Sequence, residues 1–363
     1  MKKFNGLKRK KLNNRIQRLV MLVITLAISA AFLCSCTLPD YRTSNTDGNE
    51  KIQVLCTDFP QYDWARNIIG RTDKIELSML FKNGADAHSY QPSANDIIRI
   101  THSELLVYNG GASDKSIEDI LDSSAQKTDR FSCMNIVSDS ILNEDDLHIE
   151  HDHEHEHEHE HELEHQHSHE HHHNDGESAD NEDYDESDEH IWLSIKRVQR
   201  ICAALGEKFA QIDPDNAETY RTNANIYCMI LDALDGEYTQ TVNSAKKNDI
   251  IVADRFPFLY LAKDYGLNCH AAFPGCSAET EASFKTVVSL ANELDELNLS
   301  YIVTTDNPTS ETASAVIKAS GRTDVQTVTL NSLQGVTDND ISNGLTYISA
   351  MTQNLDVLKR VLN

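Results

Sequence analysis

An acidic, histidine-rich segment interrupts the chain and limits which parts of it can form a core. Between Glu144 and His190 there are 21 Asp and Glu residues and no Lys or Arg, and 13 of the 17 histidines lie between His148 and His173. A segment with so few apolar side chains cannot bury enough surface to offset its conformational entropy. We therefore expect residues 144–189 to be a disordered insertion, with the core built from the flanking sequences.

The net charge of the chain, −26, is mostly local to this insertion. Removing the 21 acidic charges of the insertion leaves about −5 for the rest of the sequence. No basic face remains that could bind a polyanion, so we do not expect nucleic acid as a partner.

The N-terminus has the parts of an export signal. Residues 1–18 are strongly basic, residues 19–33 are apolar, and the apolar run is shorter than the ~20 residues of a membrane-spanning helix. The sequence Leu-Cys-Ser-Cys at 33–36 resembles the lipobox of bacterial lipoproteins. That resemblance implies removal of residues 1–35 and lipidation of Cys36, on the outer face of the bacterial cell membrane. The alternative is an uncleaved anchor, which also places the rest outside the cytoplasm.

Strand and helix alternate on both sides of the insertion, after a polar tether at residues 36–50. In the first half, strands are predicted at Ile52–Cys56, Lys74–Leu80 and Leu105–Tyr108. In the second half, strands are predicted at Ile250–Ala253, Cys269–Phe273, Tyr301–Thr305 and Gln326–Leu330, before a last helix near Ile341–Leu362. Such alternation is typical of parallel α/β sheets. We therefore predict an N-terminal α/β lobe at 51–212 and a C-terminal α/β lobe at 247–363.

A long helix is predicted between the two lobes. Asp213 is a favourable N-cap, and Pro214 suits the first helical position. Apolar residues recur on one face from Ala217 to Tyr238, and no clear stop signal precedes Asn243. We assign residues 213–246 to a connecting helix that is ~45 Å long at 1.5 Å per residue.

The histidine-rich tract is itself a candidate metal collector. Neutral imidazole suits Zn, Cu and Ni, and interleaved carboxylates raise the local concentration of cations. Because a near-alternating repeat defines no single geometry, we expect several weak, interchangeable sites. The alternatives are a solvated acidic linker or a pH-sensing tract, since many imidazoles would gain charge together near pH ~6.

Two further histidines lie in structured contexts. His88 follows the second predicted strand in Gly-Ala-Asp-Ala-His-Ser-Tyr-Gln-Pro at 84–92, and His190 directly precedes Ile-Trp-Leu-Ser at 191–194. Ligands of open parallel sheets bind beyond the carboxyl ends of the strands. A single histidine is nevertheless more often structural, so position alone does not make either one a ligand.

These motifs, with the insertion just before His190, resemble the zinc-binding lipoproteins of ABC importers, the cluster A-I metal-binding family. The resemblance extends from about residue 51 to the C-terminus and includes Tyr-Leu-Ala-Lys-Asp-Tyr-Gly-Leu at 260–267. It implies two Rossmann-like lobes joined by a rigid helix, with a metal ion between them held by His88 and His190. It further implies a non-enzymatic lipoprotein that passes zinc to a permease and its ATPase, and we expect a monomer.

The sequence departs from that family at a third ligand position. Zinc-binding relatives usually carry histidine, and manganese-binding relatives glutamate, five residues before the tyrosine that matches Tyr260. This chain has Arg255 there, which cannot lose its proton to bind a cation. Of two carboxylates at predicted strand ends we prefer Asp306, because relatives often carry an acidic ligand within a residue of it. Asp254 is a second candidate, although it can equally pair with Arg255. Cys276 and Glu279, which follow the next predicted strand, are weaker candidates.

Other functions stay open as alternatives. A manganese- or nickel-binding homologue would keep the same fold, although the histidine density favours zinc over manganese, which prefers carboxylates. A metal-buffering adhesin would bind the ion without a transporter. A zinc-dependent hydrolase would activate water at an open coordination position, but the chain has no Gly-x-Ser-x-Gly motif. Two lobes clamping an ion also leave little room for a substrate.

Overall fold

The computed structural model describes residues 51–82, 84–85, 87–144, 187–275 and 282–363. Several sequence predictions lie outside these ranges: the signal peptide, the tether, lipidation of Cys36, the histidine-rich tract, Cys276 and Glu279. Across the described ranges, every helix is too short or too polar to cross a bilayer.

The described part of the first lobe contains a four-stranded parallel sheet in the order β2-β1-β3-β4. Its strands are β1 (Ile52–Cys56), β2 (Ile75–Met79), β3 (Leu105–Tyr108) and β4 (Asp129–Ser132). Its helices are α1 (Phe59–Ile69), α2 (Ala94–His102), α3 (Lys115–Ser123) and α4 (Cys133–Ile136). Val54 and Cys56 pack in the core that contains α1, whereas Leu55 packs in the core that contains α2 and α3. The sheet is therefore covered on both faces, as its apolar strands require.

Two helices, α5 (Ile195–Ile212) and α6 (Ala217–Asn243), pack side by side between the sheets. The longer helix, α6, has 27 residues, so it is ~40 Å long at 1.5 Å per residue. It begins later than predicted because Pro214–Asn216 forms a 3₁₀ turn, and the Asp213 carboxylate accepts from the Tyr220 hydroxyl at 2.6 Å.

The described part of the second lobe contains another four-stranded parallel sheet, in the order β6-β5-β7-β8. Its strands are β5 (Asp249–Phe256), β6 (Asn268–Pro274), β7 (Tyr301–Thr305) and β8 (Gln326–Leu330). Its helices are α7 (Leu259–Tyr265), α8 (Phe284–Glu296), α9 (Glu311–Ser320), α10 (Asp338–Ser342) and α11 (Tyr347–Val361). Both sheets thus share one connectivity, and in each the strand order reverses beside the first strand. The carboxyl ends of the strands at such a reversal form a binding crevice.

Element boundaries differ from the sequence prediction where local polar groups act. The first helix begins at Phe59, because the Asp58 carboxylate caps it by accepting from the Phe59 N–H at 2.7 Å. The predicted last helix is wrong as a single element: Gly344 takes φ 91°, and Thr346 caps a second helix after it. The sequence prediction also lacked α3 and the short, half-exposed β4.

A continuous hydrophobic core joins the lobes. It includes inward residues of β1, β3 and β5, one face of α6, and much of α11. Two buried hydrogen bonds cross this core: the Tyr238 hydroxyl donates to the Met351 carbonyl at 2.6 Å, and the Tyr347 N–H donates to Asp63 at 2.9 Å. The described residues between 51 and 363 accordingly form one compact unit.

The packing of α5 on α6 gives a stability prediction. A Cβ atom at Gly206 would lie 2.6 Å from the Ala224 Cβ, so Gly206→Ala should force the helices apart. We expect the free energy of unfolding to fall by ~1–3 kcal/mol, the usual cost of overpacking. The control is Gly236→Ala on the exposed side of α6, where a Cβ meets nothing within 4 Å and helix propensity predicts a gain of ~0.5–1 kcal/mol. Equal urea midpoints for the two variants would contradict the close packing.

Candidate metal centre

His88 lies in a 3₁₀ turn, Ala87–Ser89, beyond the carboxyl end of β2. Its Nδ1 atom is 2.7 Å from the hydroxyl of Ser113, in the loop between β3 and α3. A hydrogen bond at Nδ1 fixes the plane of the imidazole and directs Nε2 away from that loop. The Ser113 hydroxyl of the first lobe therefore contacts His88 at Nδ1, and Nε2 faces the junction of the lobes.

His190 is fully buried where the lobes meet, directly before a 3₁₀ turn at Ile191–Leu193. One oxygen of Asp188 accepts from the His190 backbone N–H at 2.8 Å and lies 3.0 Å from its Nδ1. A carboxylate at Nδ1 favours the proton on that nitrogen, which leaves the Nε2 lone pair for a metal ion. This pairing of carboxylate and histidine is typical of metal-binding histidines.

The electrostatic surroundings of His190 act in opposite directions. Burial lowers the pKa of His190, whereas the negative charges of Asp188, Glu189 and Glu144 raise it. The net result is a pKa above the ordinary value of 6.5. A histidine in this setting attracts cations, because the carboxylates that stabilise its protonated form also stabilise a bound metal ion.

The side chain of Gln334 joins the two histidines. Its Nε2 atom lies 3.2 Å from Nε2 of His88 and 3.1 Å from Nε2 of His190, and the ring centroids are 5.6 Å apart. An amide NH₂ group has two N–H donors, one for each imidazole lone pair. Both Nε2 atoms thus lie within 3.2 Å of one position between the lobes. In the tautomer that carries the proton on Nδ1, each Nε2 lone pair can bind a cation placed there.

Sequence reasoning missed Gln334 as part of this site. The residue lies four positions after the end of β8, at the same edge of the sheet as Asp254 and Asp306. Applying the carboxyl-edge rule to β8 as well as to β5 and β7 would have selected this loop. A carboxamide is not a usual zinc ligand, so its residue type gave no separate signal.

Asp306 is connected to the histidine pair only through other residues. Its carboxylate accepts from the Ser332 N–H at 2.6 Å and from the Ser332 hydroxyl at 2.5 Å, and that hydroxyl also contacts Gln334. Within the described residues, no three His, Cys, Asp or Glu side chains are grouped closely enough to hold a metal ion. The role of Asp306 as a ligand therefore stays a prediction.

Asp254 ties the end of β5 to β7. One carboxylate oxygen accepts from the Arg255 backbone N–H at 2.9 Å, and the other is 3.5 Å from the Thr305 N–H. The Thr305 hydroxyl in turn donates to the Arg255 carbonyl at 2.8 Å. These contacts give Asp254 a structural role in the second lobe, at the same edge as Asp306.

The Asp188–His190 pair gives a prediction for pH dependence. A metal ion binds only neutral His190, so affinity should fall as the pH drops through the raised pKa, beginning above pH ~6.5. In Asp188→Asn this fall should move to lower pH, and affinity at neutral pH should decrease ~10–100-fold. The measurement is isothermal titration with zinc at several pH values.

A matched control is Asp249→Asn, which alters another aspartate–histidine pair, the 3.5 Å contact with His270 in the second lobe. We expect zinc affinity and its pH profile to be unchanged in that variant. An Asp188→Asn profile that overlays the unmodified protein would show that Asp188 does not set the protonation of His190.

Comparisons with known proteins agree with this architecture. The sequence matches the ZnuA family, described as zinc-uptake complex component A, periplasmic, over residues 54–361. It is 28% identical over 336 residues to the zinc-binding lipoprotein AdcA of Streptococcus pneumoniae TIGR4, covering 92% of this chain and 59% of AdcA. It is 29% identical over 334 residues to the high-affinity zinc uptake system protein ZnuA of Bacillus subtilis, covering 92% of this chain and 95% of that protein. The chain thus spans about three fifths of AdcA but nearly all of that ZnuA.

Solved structures share the fold. The Zn(II)-bound ZnuA-like domain of Streptococcus pneumoniae AdcA has a TM-score of 0.64 at 24% identity, covering 86% of this chain and 99% of that one. The metal-dependent lipoprotein YcdH of Bacillus subtilis has a TM-score of 0.64 at 25% identity, with the same coverage. The predicted fold class, two α/β lobes joined by a long helix, is confirmed. With a family match over most of its length, the chain belongs to the ZnuA family of periplasmic zinc-uptake components.

Proposed function

We propose that this protein is an extracytoplasmic, lipid-anchored solute-binding protein that captures zinc(II) between its lobes and delivers it to an ABC-type importer. The observation that carries the proposal is the convergence of Nε2 of His88 and Nε2 of His190 on one point. Neutral imidazole is a preferred nitrogen ligand of zinc. Family membership and the names of the relatives, which bind or take up zinc, support zinc as the metal.

The partners in this proposal follow from the same reasoning. A permease with its ATPase receives the ion, and the lipid on Cys36 holds the protein, as a monomer, at the outer face of the membrane. His88 and His190 are the first two ligands, and Asp306 is the preferred acidic candidate for a third. Its carboxylate would have to exchange its Ser332 contacts for the ion, a local change at the end of β7.

The histidine-rich tract acts in this proposal as an auxiliary collector. Asn143 and Ser187 form an antiparallel bridge, and the Asp188 N–H donates to the Leu142 carbonyl at 2.9 Å. The insertion therefore leaves and rejoins the fold at one place, three residues before His190. Ions held weakly by the tract are released close to the ordered histidine pair.

The residues favour capture of zinc over zinc-dependent hydrolysis. The sequence His-Glu-x-x-His, a zinc-hydrolase motif, occurs only inside the tract, where alternation of His and Glu generates it. The ordered histidines lie 102 positions apart in the sequence, on loops of the fold rather than on one helix. A zinc hydrolase would instead need a positioned general base beside an open coordination site.

Zinc titration of two variants tests the proposal. Deletion of residues 148–173 should leave a tight site with one zinc per chain, because the ordered pair remains. The double variant His88→Ala, His190→Ala should lose affinity at that site by more than ~100-fold, since removing ligands exceeds the effect of removing their supporting residues. Isothermal titration measures both, with manganese as a competitor that we expect not to displace zinc.

The matched control for the double variant is His102→Ala, His270→Ala, which removes two described histidines outside the site. Its affinity for zinc should equal that of the unmodified protein. Tight binding that persists in the His88, His190 variant, or that disappears with the tract, would refute the proposed site.

A further inference from the structure

A cavity of about 790 Å³ lies at the carboxyl ends of β5 and β7, beside the histidine pair. Its described charged and amide lining residues are Asp254, Arg255, Asp306, Asn307, Glu311 and Gln334. Because the Gln334 amide also contacts both histidines, the cavity and the candidate metal centre share one wall. A metal ion with one or two waters needs far less space, since a water takes up ~30 Å³. Volumes of ~300–1,000 Å³ are typical of sites for small organic ligands.

The charges in this cavity are mixed. One guanidinium, that of Arg255, is accompanied by the three carboxylates of Asp254, Asp306 and Glu311. Such a pocket suits a ligand that is positive overall but also carries a carboxylate, because a guanidinium binds carboxylates through two parallel hydrogen bonds.

The donor atoms at the metal centre also favour a metal complex with a small carboxylate-bearing ligand. Zinc in proteins usually has four ligands, and His88 and His190 provide two imidazole nitrogens. The third contact, Gln334, has a neutral amide, and Arg255 lines the cavity that Gln334 shares with the metal centre. A small molecule with two donor atoms would complete the tetrahedron from the cavity side, and its carboxylate would meet Arg255.

We propose that the cargo is a zinc complex of a small amino-carboxylate chelator rather than the ion alone. This inference rests on the proposed capture of zinc. The metal lies on His88 and His190, and the amine and a second donor of the chelator fill the other two positions, one of which Asp306 would take around the ion alone. The chelator carboxylate pairs with Arg255. The excess of carboxylates in the cavity balances the positive charge of the complex.

L-Histidine is the probe, because it offers an amine, an imidazole and a carboxylate. Equilibrium dialysis of radiolabelled L-histidine against the full chain with one equivalent of zinc measures its retention, and native mass spectrometry gives the composition of the complex. We expect one zinc and one histidine per chain, with no retention of histidine when zinc is omitted. L-Histidinol, which lacks only the carboxylate, should be retained at least ~10-fold more weakly, the loss expected for a charged hydrogen-bonded pair.

Variants separate this proposal from zinc capture itself. Arg255→Gln should lower histidine retention ~10-fold or more and leave binding of zinc alone intact. The control, Arg322→Gln, alters an ion pair between the partly buried Arg322 and the exposed Asp324 in the same lobe and should change neither. In the dialysis with histidine present, zinc bound with no histidine retained, or equal retention of histidine and histidinol, would overturn the chelate proposal and leave zinc capture standing. Failure of the unmodified chain to bind zinc would instead overturn both.

Discussion

Three consecutive buried ionisable residues, Asp188, Glu189 and His190, are the constraint on which the site depends. Their exposed fractions are 1%, 4% and 0%, and burial of unpaired charges would cost several kcal/mol. Each one has partners: Asp188 pairs with His190, and the Glu189 carboxylate accepts from the Ser113 N–H at 2.9 Å. The Asp188 carbonyl accepts from the Tyr260 hydroxyl of the second lobe at 2.6 Å. The charged groups are thus satisfied within the first lobe, and the Tyr260 contact with the Asp188 backbone ties the same segment to the second lobe, so together they fix the position of His190.

The residues after His190 extend this connection into the second lobe. The indole N–H of Trp192 donates to the Ser332 carbonyl at 2.8 Å, and the Tyr347 hydroxyl donates to the Trp192 carbonyl at 2.7 Å. Ser332 in turn holds the carboxylate of Asp306 and is two residues from Gln334. One series of buried contacts thus positions the groups on both sides of the candidate metal centre. It also explains why Asp188 and Glu189, which the sequence analysis assigns to the insertion, belong to the ordered fold.

Much of the fold could be predicted from the sequence, because alternation of strand and helix is a local signal that both lobes carry strongly. The resemblance to zinc-binding lipoproteins selected His88 and His190, and the structure places their rings side by side. Gln334 could not be predicted in the same way, since its position depends on how Ser332 packs against Trp192, a contact between residues 140 positions apart. The break before α11 was missed because the apolar period continues across it and outweighed the turn signal Asn343-Gly344, where Gly344 takes a positive φ.

The continuous core described above affects how long a captured ion would stay bound. Separating the lobes as rigid bodies would expose apolar side chains of α6, among them Leu231 and Tyr238, at a cost of ~25 cal/mol for each Å² of apolar surface. Turning the Gln334 side chain away from the histidines breaks two hydrogen bonds and exposes no core. Because the ion and the Gln334 amide compete for the same two histidine Nε2 atoms, return of Gln334 to this position would displace the ion. Its residence time is therefore expected to depend on motions of the loop after β8. A transporter that accelerates release would act most effectively on that loop.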